Sequence, residues 1–159
     1  LFSFYTRGMS FIDMAYLKKS DLKNGIITYR RRKTGQQLTV KWEKCMEDII
    51  AKYGENTATR YLLPIITNPC SDERPQYRNA ICRINVALKE VAGLAGLNIP
   101  LTMHVARHCW ASVAKSKNIP LSVIREGMGH DSEETTRIYL ASLDTSVVDK
   151  ANSLILKDF

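Results

Sequence analysis

The sequence predicts an α+β fold that is predominantly helical and carries one small antiparallel β-hairpin. Apolar residues recur at helical spacing over most of the chain. Two short β-prone runs, residues 26–33 and 37–42, flank the glycine-containing connection Thr34-Gly35-Gln36. The length of 159 residues and the hydrophobic content of 45% are typical of one globular domain with a sizeable core. We therefore expect a single domain over residues 1–159.

Helical spacing and turn residues place the elements of the first half of the chain. Phe4, Met9, Ile12, Met14 and Leu17 crowd one apolar segment, and Met46, Ile49, Ile50 and Tyr53 follow helical spacing. The predicted order is a helix through about residue 17, a turn at Asn24-Gly25, the hairpin, a helix that ends at Gly54, a short strand over residues 61–66, and a loop over residues 67–76.

The second half of the chain is predicted to be helical. Five apolar residues at helical spacing predict a long amphipathic helix that ends at Gly96: Ile81, Ile84, Leu88, Val91 and Ala95. Thr102 is a candidate cap for a helix over residues 103–117. Asp131 and Glu134 have the spacing of a capping box for the segment that bears Tyr139. A last amphipathic stretch holds Val147, Val148, Ala151, Leu154 and Ile155.

The charge of the chain favours an anionic partner. The formal net charge of +7 makes nucleic acid the first expectation and an anionic membrane surface the second. The four cysteines contain no C-x-x-C pair, so neither a redox motif nor a metal ribbon is indicated. We expect a cytoplasmic protein, because the sequence has no run of 18 apolar residues and no signal-peptide layout. The first residue is not Met, which suggests a fragment of a longer protein.

A cluster of histidines, one arginine and one tyrosine predicts the chemistry. His104, His108 and His130 fall within 27 residues, with Arg107 among them and Tyr139 nine residues after the last. His104 and Arg107 are i, i+3 in the first turns of a predicted helix, where backbone N–H groups favour an anion. A tyrosine phenol has a pKa near ~10, so a nucleophilic Tyr139 needs a base or nearby cations. These residues are suited to attack on a phosphodiester.

The hairpin adds further cations. Lys33, near the turn, is a candidate general acid for the departing 5′-oxygen. Strand alternation predicts that Arg31 lies on the same side as Lys33, and that Arg30 and Arg32 lie on the other side. Some of these three arginines are expected to touch DNA phosphates, and we treat all three as candidate DNA-binding residues.

Three strings resemble those of a known family, the tyrosine recombinases or phage-type integrases. The string "LTMHVARHCWAS" resembles the family's H-x-x-R-H box, "MGHDSEETTRIYLASL" its G-H box followed by the nucleophilic tyrosine, and "RRRKTGQQ" its hairpin lysine. The resemblance covers essentially the whole chain as a catalytic domain. By resemblance, similar strings in which the family's first arginine is displaced occur in integrases of mobile elements from Bacteroides-type bacteria.

The resemblance implies a role for each residue of the cluster. Tyr139 would form a 3′-phosphotyrosyl bond, Lys33 would protonate the leaving oxygen, and His104, Arg107 and His130 would stabilise the phosphate and handle protons. It implies no cofactor, metal or ATP, and neither a membrane nor a small-molecule substrate. The implied partners are double-stranded DNA at specific sites and three further copies in a tetramer, with residues 144–159 docking on a neighbour. The implied location is the bacterial cytoplasm, in association with DNA.

One position departs from the family pattern. The family's first arginine stands two residues after the glycine in G-[LM]-R-x-x-[ED]-L, and here Ser10 takes its place in the string Gly8-Met9-Ser10. Arg7, three residues earlier in the predicted helix, would lie on the same face and could supply the missing guanidinium. Asp13 fits the acidic position and would orient an arginine or the histidines.

Structural interpretations of the same residues remain open. Tyrosines usually pack through their rings, and Arg7, Lys33 and the three hairpin arginines could be solvated surface residues. His108 could equally be a supporting residue behind the site. The spacing of His104 and His108 would allow zinc, but Val105 stands where the H-E-x-x-H motif has glutamate.

Three alternative functions therefore accompany the recombinase hypothesis. The first is a strand-cleaving activity like that of type IB topoisomerases. The second is a DNA-binding recombinase remnant that has lost turnover because of Ser10, and the third is zinc-dependent hydrolysis. The compact length and the predicted C-terminal helix argue against the topoisomerase.

Overall fold

The structure is a computed structural model that describes residues 1–53 and 58–141. Gly54 and the predicted helix over residues 144–159 lie outside the described residues. The chain divides into two compact units, residues 1–110 and 111–159. Within the described part of the chain the elements are, in order, α1 (Phe2–Tyr5), α2 (Phe11–Ala15), a 3-10 turn (Lys19–Asp21), β1 (Leu22–Lys23), β2 (Ile26–Arg30), β3 (Gln37–Lys41), α3 (Lys44–Ala51), α4 (Glu73–Leu94), α5 (Val105–Ser116), α6 (Leu121–Met128) and α7 (Glu133–Ala141).

The predicted fold class is confirmed. The described residues are mostly helical, with one antiparallel three-stranded sheet in the order β1-β2-β3. The predicted hairpin forms the pair β2–β3, and Ile27 and Tyr29 are buried opposite Val40 and Leu38. The strands end earlier than predicted, so residues 31–36 form the connection.

The prediction of a strand over residues 61–66 is wrong. Tyr61 makes only a single bridge with Lys18, and the two-residue β1 is the third strand instead. Leu62 donates its N–H to the Leu17 carbonyl, but Pro64 has no N–H to continue a ladder. The run is apolar because Leu63 and Ile66 enter the core, not because it pairs in the sheet.

The prediction of a single opening helix through about residue 17 is also wrong. Its place is taken by α1 and α2, which are separated by a left-handed break at Arg7 (φ 59°) and Gly8 (φ 76°). Ser10 then caps α2, with its Oγ accepting the Asp13 N–H at 3.3 Å. Both short helices bury apolar side chains in the same core, Phe2 from α1 and Phe11 and Met14 from α2.

The predictions for α3 and α4 are confirmed with one correction. The loop predicted through residue 76 ends at Asp72, whose carboxylate accepts the Arg74 N–H at 3.1 Å and caps α4. Pro75 lies in the first helical turn, where a missing N–H breaks no helical hydrogen bond. The helix ends at Leu94, and Gly96 follows with a positive φ.

The first unit encloses the main core. Side chains from α1, α2, the sheet and α3 pack together with residues 63 and 80 and with Met103 before α5. Phe2 contacts Trp42 and Phe11 contacts Tyr77 through their rings. The opening helices and the hairpin are therefore fixed to one rigid core.

The second unit, described to residue 141, contains α6, α7 and the end of α5. Residues 121–128 form a helix that the sequence analysis does not predict, and Gly129 (φ 63°, ψ 49°) ends it in a left-handed cap. The capping box predicted at Asp131 is wrong by one position, because Ser132 Oγ accepts the Thr135 N–H at 3.1 Å. No helix among the described residues is long and apolar enough to cross a membrane.

Candidate active site

Arg107 is a buried cation with a defined orientation. It lies in the first turn of α5, is 5% exposed, and donates from Nη1 to the Gly8 carbonyl at 2.9 Å. A buried guanidinium held by a backbone carbonyl is positioned before any substrate arrives, which is what electrostatic stabilisation of a phosphate requires.

Gly8 contacts Arg107 so closely that no larger residue fits. An added Cβ would lie 2.8 Å from Arg107 Cγ and 2.9 Å from Arg107 Cα, and the positive φ of 76° would strain any side chain. The left-handed break between α1 and α2 therefore does two things: it brings the Gly8 carbonyl to the guanidinium, and it leaves room for the α5 backbone.

We expect Gly8→Ala to destabilise the fold by about 2–4 kcal/mol, since strain at positive φ adds to overpacking against Arg107. Gly25→Ala is the matched control. Gly25 has nearly the same φ of 72°, but an added Cβ there meets nothing within 4 Å. Urea unfolding of both variants measures how much of the lost stability comes from the close contact with Arg107. Equal losses of unfolding free energy in the two variants would contradict a contribution from that contact.

His104 and His108 form an edge-to-face pair beside Arg107. Their ring centroids are 4.6 Å apart, and His104 immediately precedes α5, with its carbonyl accepting the His108 N–H at 3.2 Å. Partial burial, then His108, Arg107 and Lys33, lower the pKa of His104. Burial and Arg107 likewise lower the pKa of His108. Both rings are therefore neutral at pH 7, and a neutral imidazole can accept a proton.

Asp13 ties α2 to the hairpin. Its buried carboxylate accepts the backbone N–H of Arg32 at 2.8 Å through Oδ1 and the Ser10 hydroxyl through Oδ2. These contacts hold the hairpin connection through its backbone, and the expectation that Asp13 orients an arginine or the histidine network stays a prediction. Ser10 stabilises this arrangement by capping α2 and bonding Asp13.

The geometric argument for Arg7 is wrong. Arg7 does not lie one helical turn from Ser10, because its own φ of 59° breaks the helix between them. Its Nη1 reaches back to the Thr39 carbonyl in β3 at 3.3 Å. The hypothesis that Arg7 replaces the missing cation remains a prediction, but helix geometry no longer supports it.

The three hairpin arginines lie in different environments. Arg31 is 8% exposed, whereas Arg30 and Arg32 are exposed. Because β2 ends at Arg30, strand alternation does not extend over residues 31–33, and the expectation that Arg31 and Lys33 share one side stays a prediction. Arg32 stacks on Tyr16 with its guanidinium carbon 3.5 Å from the ring centroid. Lys33 is exposed in the connection and lies near enough to His104 to lower the pKa of that ring.

The pKa of the buried Tyr29 is affected by several charged groups of the first unit. Burial and Asp13 raise the pKa of Tyr29, while Arg31, Arg107 and Arg7 act in the opposite direction. Tyr29 therefore stays a neutral phenol, and Arg31, Arg107 and Arg7 all lie close enough to act on its pKa. These three arginines are far apart in the sequence, and the fold brings them near one phenol.

His130 and Tyr139 lie together in the second unit. The His130 ring is 9% exposed and lies 5.5 Å from the Tyr139 ring between centroids, at 67°. His130 Nδ1 is 2.9 Å from Thr136 Oγ1, and Thr136 is completely buried. Tyr139 itself is half-buried on α7. A histidine next to a half-buried phenol can exchange a proton with it.

Sequence reasoning did not find Gly8 or Thr136 as parts of the site. Gly8 stands in the string that resembles the family pattern, but its contact with Arg107, 99 positions away, follows from no local pattern. Thr136 precedes Tyr139 by three positions on α7, so a search of the helix face around the predicted nucleophile would have found it. Within the described ranges no group of three or more His, Cys, Asp or Glu side chains is placed to hold a metal ion.

Comparison with known proteins places this chain in a family. The profile of the phage integrase family matches residues 4–146. A tyrosine recombinase XerC of Thermodesulfovibrio yellowstonii is 28% identical over 144 residues, which are 86% of this chain and 46% of that protein. A probable integrase/recombinase of Methanocaldococcus jannaschii is 26% identical over 129 residues, 79% of this chain and 38% of that protein. The chain thus spans less than half the length of these curated relatives.

A solved structure shares the fold. The crystal structure of XerA recombinase superposes with a TM-score of 0.68 at 21% identity, over 96% of this chain and 55% of that one. A lambda integrase dimer bound to a core site gives a TM-score of 0.57 at 17% identity, over 87% of this chain and 49% of that one. With the family profile matched over most of its length, this chain belongs to the phage integrase family.

Proposed function

We propose that this chain is the catalytic part of a site-specific DNA recombinase or integrase that cleaves and rejoins DNA through Tyr139. The observation that carries the proposal is the pairing, within one unit, of Tyr139 with the buried His130. The first unit adds the pre-oriented Arg107, the neutral His104 and the cation Lys33. Each belongs to a string that resembles the family's motifs.

The proposed reaction is two transesterifications. Tyr139 Oη attacks the scissile phosphorus, its proton passes to a histidine, and the bond between phosphorus and the 5′-oxygen breaks. Lys33 protonates that oxygen, so a 3′-phosphotyrosyl bond and a free 5′-hydroxyl result. A 5′-hydroxyl then attacks the phosphotyrosine and releases the Tyr139 phenol. Arg107 and His104 stabilise the charge on the non-bridging oxygens in both steps. Because each step forms one phosphate ester bond as it breaks another, the energy of the bond is retained and the proposed reaction needs neither ATP nor metal.

The cation missing at Ser10 is supplied, in this proposal, by Arg31 and not by Arg7. Arg31 is buried and sits in the connection that Asp13 holds through the Arg32 N–H. Like Arg107 and Arg7, it lowers the pKa of Tyr29, so that effect does not separate Arg31 from Arg7. Arg7 is more exposed and is directed at the Thr39 carbonyl. A buried, positioned guanidinium contributes more to transition-state stabilisation than an exposed one, because it needs no reorganisation.

We expect Arg31→Ala to lower the rate of DNA cleavage by about 10²–10³, the usual effect of losing one transition-state donor. Arg7→Ala should lower it by less than about tenfold. Arg78→Ala is the control, because Arg78 is exposed on α4 and lies outside the candidate site. Single-turnover cleavage on the recombination-site DNA measures all three. A larger loss with Arg7→Ala would reverse the assignment.

A trapping assay tests the proposed function. Full-length protein is mixed with its nicked suicide DNA site in EDTA and without ATP, and a denaturant-stable protein–DNA adduct is expected. DNA binding without an adduct would favour the binding-only remnant, with Ser10 as the lesion. Cleavage that stops with chelator would favour zinc-dependent hydrolysis. An adduct that reseals one duplex without exchanging strands would favour the topoisomerase-like activity.

The wider assembly is part of the same proposal. We propose that residues 1–159 form the catalytic domain of a longer protein, which acts as a tetramer on paired double-stranded DNA sites. In it, residues 144–159, which lie outside the described residues, dock on a neighbouring copy. Solved relatives include XerH recombinase bound to its difH substrate. The replacement at Ser10 supports an origin in mobile elements of Bacteroides-type bacteria.

A further inference from the structure

Thr136 is the completely buried partner of the catalytic candidate His130. Its Oγ1 lies 2.9 Å from His130 Nδ1 and also donates to the Ser132 carbonyl at 3.4 Å. Thr136 lies on α7, while His130 follows the left-handed cap of α6 at Gly129. The hydroxyl therefore links the loop that bears His130 to the helix that bears Tyr139.

The direction in which this hydroxyl donates decides which neutral form of the imidazole fits the contact. A threonine hydroxyl has one proton to donate and two lone pairs to accept with. When that proton is donated to the Ser132 carbonyl, the contact with His130 requires Nδ1 to carry the proton and Thr136 to accept it. In the neutral ring the basic nitrogen is then Nε2.

We propose that Thr136 is a positioning residue that holds neutral His130 as the Nδ1–H tautomer, so that Nε2 takes the proton of the Tyr139 phenol. The inference rests on the proposed function and names the base of its first step. The logic is that of a base oriented by a third group, with a hydroxyl in the place that a carboxylate often takes. Arg125, whose Nη1 is 3.5 Å from the His130 carbonyl, supports the backbone of the same residue.

The tautomer can be measured without any catalysis. Two-bond 1H–15N correlation of the DNA-free full-length protein at pH 8 distinguishes protonated from unprotonated ring nitrogens, and His130→Gln identifies the signals of His130. We expect a protonated Nδ1 and an unprotonated Nε2. A protonated Nε2 in the wild-type protein would overturn the proposal, whatever the cleavage assay shows.

Variants of Thr136 test the link to catalysis. Thr136→Val keeps the shape and removes the hydroxyl, so it should shift the tautomer and lower single-turnover cleavage about 10–100-fold, part of the ~10²–10⁴ that a general base contributes. Thr136→Ser keeps the hydroxyl, so its cleavage rate should stay within about threefold of the wild-type rate. The control is Thr135→Val, because Thr135 is exposed on the same helix. DNA affinity should not change in any of them.

The outcomes separate this proposal from the proposed function. If Thr136→Val cleaves at the wild-type rate while the wild type is active, Thr136 has no positioning role. If the wild type forms no adduct but shows the Nδ1–H tautomer, the proposed function fails while the contact between Thr136 and His130 stands. Equal losses with Thr136→Ser and Thr136→Val would indicate a packing effect and would also overturn the proposal.

Discussion

Tyr139→Phe is expected to abolish the covalent protein–DNA adduct while the protein still binds its DNA site. Without the phenolic oxygen, no phosphotyrosyl bond can form, whereas the ring keeps its packing beside His130. The dissociation constant should stay within about tenfold, because one hydroxyl hydrogen bond contributes only ~0.5–1.5 kcal/mol. Gel electrophoresis under denaturing conditions measures the adduct, and a mobility shift measures binding.

The control for this variant is Tyr53→Phe. Tyr53 is 51% exposed after α3, in the other unit of the chain, and its hydroxyl has no part in the proposed reaction. It should form adduct at the wild-type rate. Adduct formation by Tyr139→Phe would show that a different residue is the nucleophile.

Arg107→Ala is expected to lower the cleavage rate by about 10²–10³ through loss of a pre-oriented transition-state donor. Arg107→Lys should also cleave far more slowly than the wild type, because an ammonium lacks the planar fork that binds two phosphate oxygens. The change also removes the bond to the Gly8 carbonyl, so some loss of stability, about 1–3 kcal/mol, accompanies it. Single-turnover rates should therefore be measured at a temperature where circular dichroism shows the variant folded.

Arg78→Ala is the matched control for the loss of a positive charge. Arg78 is exposed on α4 and lies outside the candidate site. It should cleave at the wild-type rate even if nonspecific DNA affinity falls slightly. A wild-type cleavage rate in Arg107→Lys would contradict the proposed bidentate contact.

The elements with strong periodicity were predictable from the sequence. The helices α3 and α4 follow their apolar spacing, and the hairpin follows its β-prone runs around Gly35. The unpredicted helix α6 has Leu121, Ile124 and Met128 at helical spacing, so a signal for it was present. The capping error between Asp131 and Ser132 arose because both are good cap residues in adjacent positions.

The remaining features depend on tertiary contacts. Nothing local to Arg7 indicates a left-handed backbone, which is uncommon outside glycine and here allows Gly8 to pack against α5. The sequence strings indicate which histidines and which arginine belong to the candidate site. They do not reveal that Arg31 is buried or that Thr136 contacts His130, because burial and side-chain contacts are set by the packing of distant elements.

The chemistry of the covalent linkage tests the central claim most directly. The adduct formed by the full-length wild-type protein on its suicide DNA site would be digested with protease and nuclease, and the nucleotide-bearing peptide sequenced by mass spectrometry. We predict a single phosphotyrosyl peptide that contains Tyr139 and is joined to the 3′ end of the cleaved strand. A linkage to another residue, or to a 5′ phosphate, would contradict the account.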